Sequence, residues 1–299
     1  MYFKLPNSAN ILKMARIATG VVSPWLNSNL NYYVYNKRFP NLSNPSTFSE
    51  KLLKLKLNNY NRNSLVNQCS DKIRVRDYVH ECGFSYLLND LIEVFDNPND
   101  FDISRMPEAF ALKLNIGAGN NLICKNRKAL NEVKVKKCLL SWKRSRPWIE
   151  YSERQYRSRP RFLVEKYLEL NGGPVGLEDY KIYCFNGEPL AILCIAGRNE
   201  LGHPRWGYFM DTSWRFISDS GKYEPINEGN LAPRPKELDV ALDAAKVLSK
   251  PFPFVRVDFY FPDLSGLPVF GEMTFTPAGG IYAAEADISG CSMGELLHI

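Results

Sequence analysis

The chain has 299 residues and a formal charge of +6, with 45% hydrophobic and 23% charged residues. That length can bury a large core and the mix is ordinary for a soluble globular protein, so one compact unit of two or three lobes is expected. The charge is modest: it suits an acidic small molecule or polymer and argues against nucleic acid as the partner.

The seven cysteines (Cys69, Cys82, Cys124, Cys138, Cys184, Cys194 and Cys291) are odd in number, with no C-x-x-C pair. They argue against zinc and a disulfide framework and fit a reducing cytoplasm. At the N-terminus the apolar run Ile11 to Ile17 is broken by Lys13 and Arg16, well short of the roughly 18 apolar residues of a spanning helix. Nothing reads as a signal peptide. The run predicts an amphipathic helix packed on the protein's own core, with a helix resting on a membrane surface as the other reading.

Further along, Thr47-Phe48-Ser49-Glu50 is a capping box, and Phe48, Leu52 and Leu55 share one helical face behind it. A second helix is predicted over 71–82, started by Asp71, with Val75, Tyr78, Val79 and Cys82 on one face. From about residue 109 the pattern becomes short apolar runs: 109–114, a glycine turn, then 122–124, which predicts a strand, a turn and a returning strand. A basic helical stretch follows, then strands at 162–168, 180–185, 190–196 and 206–210. A helix is predicted over 235–249 with proline in its first turn, and a hairpin joins 254–261 to 268–275.

Strand alternation puts Arg256 and Asp258 on one face of that hairpin, and Glu272 and Thr274 on the matching face of its partner strand. Two carboxylates and a hydroxyl suit a hard cation such as magnesium, and the arginine suits phosphoryl or oxyanion charge. A solvent-facing charged ladder explains the same residues equally well. Lys113 to Asn121, KLNIGAGNN, is a lysine followed by a glycine-rich turn whose N–H groups suit phosphate oxygens. It is neither a Walker A loop nor a dinucleotide fingerprint, and its lysine precedes the glycines, unlike a kinase. An ordinary hairpin turn is the competing reading. Glu165-Lys166-Tyr167-Leu168 and Asp179-Tyr180-Lys181 complete the set and are non-specific alone.

In this order the segments NPSTFSEKLLKLKL, SDKIRVRDYV, LKLNIGAGNNLICK, EKYL, DYKIYCFNGEP, FPFVRVDFY and FGEMTFTPAGG cover most of the chain. Together they resemble the TupA-like ATP-grasp family, found with bacterial surface-polysaccharide genes. The resemblance implies an α+β ATP-grasp fold, two lobes gripping ATP, with a helical N-terminal extension. It divides the chain into a helical region at 1–60, a small lobe at 61–108, a lid lobe with the basic segment at 109–161, and a catalytic lobe at 162–299. ATP and Mg2+ are the implied cofactors. By the same resemblance Lys72 and Lys113 contact the nucleotide phosphates. Gly117, Ala118, Gly119, Asn120 and Asn121 form the lid over them, and Glu165, Lys166, Tyr167 and Leu168 form the adenine hinge, with Asp179 near the ribose. Asp258 and Glu272 hold the metal; Thr274 stands where the superfamily usually has asparagine, which puts the third ligand in doubt. Arg256, Lys181 and Arg198 are the implied catalytic residues.

The basic stretch Lys143, Arg144, Arg146, Arg154, Arg157, Arg159 and Arg161, interleaved with Trp148, Tyr151 and Tyr156, suits an anionic ring-shaped ligand such as a uronate or sugar nucleotide, or is a solvated basic face. Arg198, His203 and Arg205 form a second polar group. The expected function is an ATP-dependent ligase joining an amino-acid amine to a uronic-acid carboxylate of a sugar, sugar nucleotide or glycan through an acyl phosphate, in capsular or surface polysaccharide synthesis. An amino acid–amino acid ligase, a sugar phosphotransferase and an inactive nucleotide-binding partner of glycosyltransferases are the alternatives. The expected place is the cytoplasm, with the inner face of the membrane, peripheral to its glycosyltransferases, as one site within it.

Overall fold

The computed structural model describes residues 8–169, 179–197, 204–262 and 266–299. Two helices, α1 (Ser8–Val22) and α2 (Pro24–Asn36), form an N-terminal hairpin, with Ser23 capping the second through its hydroxyl. The second half of the apolar run at 11–17 does not pack on the core as expected. Met14 and Ile17 are exposed, because the inward side of α1 carries Arg16, Thr19 and Gly20.

Helix α3 (Phe48–Asn58) begins at the expected capping box, with both reciprocal bonds present. Phe48 and Leu52 on its inner face are fully buried. After α4 (Ser64–Cys69), the helix expected from Asp71 starts only at α5 (Val75–Glu81). Asp71 is engaged otherwise: one carboxylate oxygen accepts from the N–H groups of Ile73 and Arg74, holding a turn, and the other accepts from Asn115. A side chain that offers the backbone an alternative partner delays a helix in this way.

Strands β1 (Leu91–Phe95), β2 (Phe110–Leu114), β3 (Asn121–Cys124) and β4 (Phe162–Lys166) form an antiparallel sheet in the order β1-β4-β2-β3. Helix α6 (Glu132–Lys143) covers it with Val135 and Leu139, against Phe110, Leu112 and Phe162. A single turn, α7 (Pro147–Glu150), then packs on α1. Because β1 and β4 belong to this sheet, the divisions expected at residues 108 and 161 both fall inside it.

The larger sheet has six strands: β5 (Asp179–Phe185), β6 (Glu188–Ala196), β7 (Trp206–Asp211), β8 (Phe216–Asp219), β9 (Phe254–Tyr260) and β10 (Val269–Thr274), ordered β10-β9-β5-β6-β7-β8. Helix α8 (Leu238–Ser249), three residues shorter at its start than expected, closes the back face, where Ile182, Cys184, Val255 and Val257 are buried. Phe48 of α3 closes one end of the front face, its ring centroid 5.0 Å from that of Phe254 and 5.7 Å from that of Phe185. On the same face β6 and β7 present buried Ala191, Leu193 and Phe209, while β5, β9 and β10 carry charged and polar residues. Among the described residues no helix is long and apolar enough to cross a membrane.

Candidate active site

Alternation along β5 and β9 sends Ile182, Val255 and Val257 backward, and the charges of β5, β9 and β10 lie forward. Cross-strand register then places Lys181, Asp258 and Glu272 side by side in one row, and Tyr183, Arg256 and Thr274 in the next. Asp258 is almost fully enclosed and held by two cations: Arg256 donates through Nε and Nη2, both at 2.7 Å, and Lys181 Nζ approaches at 2.7 Å. A buried carboxylate requires such partners. Arg256 also donates to Thr274 Oγ1 at 3.1 Å and stands 3.8 Å from Glu272. Burial alone would raise the Glu272 carboxyl, but the charges of Lys72, Lys181 and Arg256 outweigh it and hold it at about 2. Arg256 responds in the opposite sense: Asp258 overcomes burial and raises its pKa above the usual arginine value. Three cations thus face two carboxylates, leaving the cluster positive and suited to phosphate oxygens.

Lys72 joins the two sheets. Its ammonium lies 3.1 Å from Glu272 Oε2 and donates at 2.8 Å to the carbonyl of Gly117 in the β2–β3 turn. That turn needs its glycines, since Gly117 and Gly119 adopt φ of 71° and 80°, where a Cβ is penalised. Asn115 anchors its base. Fully buried, it donates to Asp71 Oδ2 (2.7 Å) and to the Arg159 carbonyl (3.1 Å), and accepts from the Arg161 N–H (2.8 Å). Its own carbonyl accepts from Lys72 N at 2.9 Å, which fixes that lysine.

Lys113 of β2 pairs with Glu165 of β4 at 2.6 Å, and Arg76 of α5 approaches the other oxygen of Glu165 at 3.5 Å. Strand β4 ends at Lys166, whose carbonyl accepts from the Asn89 side chain; Tyr167 and Leu168 follow outside the sheet. Asp179 opens β5 and is buried. Ala118, Asn120 and Asn121 lie in or beside the glycine turn, where Leu114 N donates to Asn120 O. Arg198 and His203 lie outside the described residues. Arg205 is engaged by Glu224 at 2.7 Å and lies over Trp206.

The basic segment does not present all its arginines to one ligand. Arg159 and Arg161 are both spent on Asp96, at 2.8 and 2.7 Å, while Arg144, Arg146, Arg154 and Arg157 remain exposed. Its acid and aromatics turn inward. Glu153 accepts from Thr276 Oγ1, which in turn accepts from Gln155, beneath the end of β10. Burial raises the Glu153 carboxyl, partly offset by Lys56 and the Thr276 bond, and burial lowers the Lys56 ammonium to about 8. Arg76, Lys56, Glu153 and Thr276 carried no sequence signal of a site; only the polar character of each amid apolar neighbours hinted at burial.

The donors fit the metal that this arrangement implies. Asp258 and Glu272 sit on adjacent strands in register, and a magnesium ion commonly takes one or two carboxylates and completes its sphere with water and phosphate oxygens. Among the described residues no group of three or more His, Cys, Asp or Glu side chains forms a self-sufficient metal cage.

The family model described as TupA-like ATPgrasp matches residues 50–297. The chain belongs to the TupA-like ATP-grasp family. Membership gives the ATP-grasp fold, with ATP and Mg2+ as cofactors. No curated protein matches the sequence. Among solved structures, the chain is similar to D-alanine–D-alanine ligase from Bacillus anthracis complexed with ATP, at 14% identity over 70% of this chain and 54% of that one, with a TM-score of 0.39. It is similar to the ATP-grasp ligase PsnB complexed with minimal precursor, at 14% identity over 81% and 64%, TM-score 0.41. It is also similar to L-amino acid ligase from Bacillus licheniformis, at 14% identity over 92% and 56%, TM-score 0.42. The chain thus spans between 54% and 64% of these proteins' lengths. The assignment of this TupA-like ATP-grasp chain rests on the family match.

Proposed function

We propose that this chain is a carboxylate–amine ligase that joins the amine of an amino acid to the carboxylate of a sugar uronic acid, with ATP as co-substrate, in the synthesis of a capsular or other surface polysaccharide. The observation that carries the reading is the row Lys181, Asp258, Glu272 with Arg256 beside it and Lys72 reaching from the glycine turn.

A carboxylate is a poor electrophile, so its oxygen must first take a phosphoryl group to give an acyl phosphate, which the amine then attacks with loss of phosphate. Asp258 and Glu272 would hold Mg2+, which supplies charge neutralisation for phosphoryl transfer. Lys72 and Lys113 bind and orient the phosphate oxygens. Arg256 sits where it can donate to the oxyanion of the acyl centre, a contribution worth about 10²–10³ in rate for one donor. The 115–121 turn covers the site and excludes water from the acyl phosphate. Exposed Arg144, Arg146, Arg154 and Arg157 suit the sugar carboxylate.

The decisive assay supplies ATP, magnesium, a panel of uronic acids and a panel of amino acids, and follows ADP and product mass. Release of ADP that needs both a carboxylate and an amine supports ligation. Release with a sugar lacking any carboxylate identifies a phosphotransferase instead, and an amide between two amino acids redirects the acceptor. No turnover with any pairing makes the chain a binding partner, at the cytoplasmic membrane face or elsewhere.

A further inference from the structure

The N-terminal hairpin is amphipathic with the wrong side out. On α2 the buried residues are Asn27, Ser28, Asn29, Asn31 and Tyr32, whereas Trp25, Leu26, Leu30 and Tyr33 are exposed, Trp25 at 58%. On α1 the outward residues are Met14, Ile17 and Val21, spaced three and four apart, with Val22 at the corner exposed at 77%. A helix that packs on a soluble core shows the reverse arrangement.

The inward polarity is specific and largely hydrogen-bonded, Ser28 Oγ being the atom of this face without a partner among the described residues. Asn27 Nδ2 donates to the Arg16 carbonyl (2.8 Å) and to Thr19 Oγ1 (3.1 Å), Arg16 Nε donates to Asn31 Oδ1 (2.8 Å), and Ser152 Oγ donates to Asn27 Oδ1 (2.9 Å). Gly20 lets α1 approach the backbone of Ile149 in α7 too closely for any Cβ. The hairpin is therefore seated on the protein by its polar side, and that seating commits the apolar side outward. An exposed apolar surface of this extent marks an interaction site.

Charge identifies the partner. Residues 1–49 contain five basic residues (Lys4, Lys13, Arg16, Lys37 and Arg38) and no Asp or Glu; Arg16 faces inward onto Asn31 and Arg38 pairs with Glu50, while Lys37 is exposed. Exposed Arg144 and Arg146 lead into α7, against which α1 packs. The family match starts at residue 50, so the hairpin lies outside the shared ligase core. We propose that the α1–α2 hairpin docks flat on an anionic lipid bilayer, its apolar face entering the boundary between headgroups and acyl chains and exposed Lys37 at its edge facing the headgroups. A basic helix with Trp and Leu on one face binds membranes in this way, and its affinity scales with apolar area and lipid charge.

The test is flotation of the full chain with vesicles, read without reference to catalysis and so independent of the ligase reading. Binding to phosphatidylcholine vesicles containing phosphatidylglycerol, at least tenfold stronger than to phosphatidylcholine alone and weakened by salt, is expected. The double variant Ile17→Asp, Leu30→Asp should lose at least tenfold, with unchanged near-UV circular dichroism. Trp25→Ser with Lys37→Glu is a second variant, changing only exposed side chains, and should lose as much. Failure of the wild type to float with anionic vesicles overturns the proposal. So does equal flotation of both variants and the wild type, or a wild-type dimer that the variants dissociate while no vesicle binding is seen.

Discussion

The Lys72 ammonium stands 3.1 Å from Glu272 Oε2 while donating to the Gly117 carbonyl, so one side chain of the α4–α5 connection links the glycine turn of the small sheet to a proposed metal ligand of the large one. Lys72→Met should therefore act on both sides. Nucleotide affinity is expected to fall about tenfold with loss of one charged phosphate partner, equivalent to about 1.4 kcal/mol, and amide exchange across 115–121 should quicken. Glu272 would also lose the strongest charge that offsets its burial. Its carboxyl should then rise from about 2 toward the ordinary glutamate range, moving the acid limb of the turnover profile to higher pH. Unchanged exchange in 115–121 would show that the link has no effect on the turn.

Asp258 carries both the proposed metal and the neutralisation of Lys181 and Arg256. Asp258→Asn keeps the shape and one acceptor oxygen but removes the charge. Turnover should fall by about 10³ or more, through lost metal binding and disturbed electrostatics. Stability should fall by only about 1–3 kcal/mol, because both cations keep some access to water and Asn still accepts a hydrogen bond. ADP release and thermal unfolding measured on the same preparation separate the two effects. Activity within a few fold of wild type would remove Asp258 from the metal site.

Much of this was legible before any coordinates. The capping box at Thr47 and Glu50 and the hairpin carrying Arg256, Asp258, Glu272 and Thr274 follow from local bonding and strand alternation, and both appear as expected. The metal-site use of those four residues was open from alternation alone, since a solvent-facing ladder has the same pattern. Burial excludes the ladder, with Asp258 enclosed and Arg256 closed upon it, and the metal use stays a proposal. What local rules misplaced depended on distant partners. Asp71 reads as a helix start, but one of its oxygens holds a turn at Ile73 and Arg74 while the other is tied to Asn115, 44 residues away. The apolar stripe of α1 reads as core-facing, but the polar bonds of Asn27 and Asn31 turn it outward. No periodicity encodes a partner at such separations.

Glu50 is the structural counterpart of Glu272. It caps α3 through Thr47, accepts from the N–H groups of Asn41, Ser46 and Thr47, and pairs with Arg38 at 2.6 Å. Burial alone would raise its carboxyl, but those donors hold it at about 2 against an ordinary 4.5. A lowered acid pKa means that the folded state binds fewer protons, so this stabilisation is complete above the ordinary value and is lost as pH falls through the window down to the folded one. Glu50→Gln should cost on the order of 2 kcal/mol at neutral pH, since several donors lose a charged acceptor. It should also flatten the acid limb of the unfolding curve relative to wild type. A variant whose stability runs parallel to the wild type between those two pKa values would sink this assignment.

Asn115 offers a test in which two substitutions should differ in a predictable order. Asn115→Ala removes three side-chain hydrogen bonds from a fully buried position and leaves the Arg161 N–H and Asp71 Oδ2 without it. The expected cost is about 2–4 kcal/mol, the range for a broken buried network. Because Lys72 N donates to the Asn115 carbonyl, the lysine and the turn should loosen as well. Asn115→Asp keeps the acceptor for Arg161 but replaces the Nδ2 donor, 2.7 Å from Asp71 Oδ2, with a carboxylate oxygen. Two like charges at that distance repel, so one carboxyl of the pair must have a raised pKa. The folded state then binds the extra proton more tightly than the unfolded one, and stability lost at neutral pH returns as the pH is lowered through that raised value. Unfolding curves should therefore show Asn115→Asp less stable than Asn115→Ala at neutral pH and the order narrowing or reversing near pH 5, because a protonated aspartic acid can donate to Asp71 much as the amide does. Identical pH dependence for the two variants would mean that Asp71 and Asn115 do not bond through those atoms.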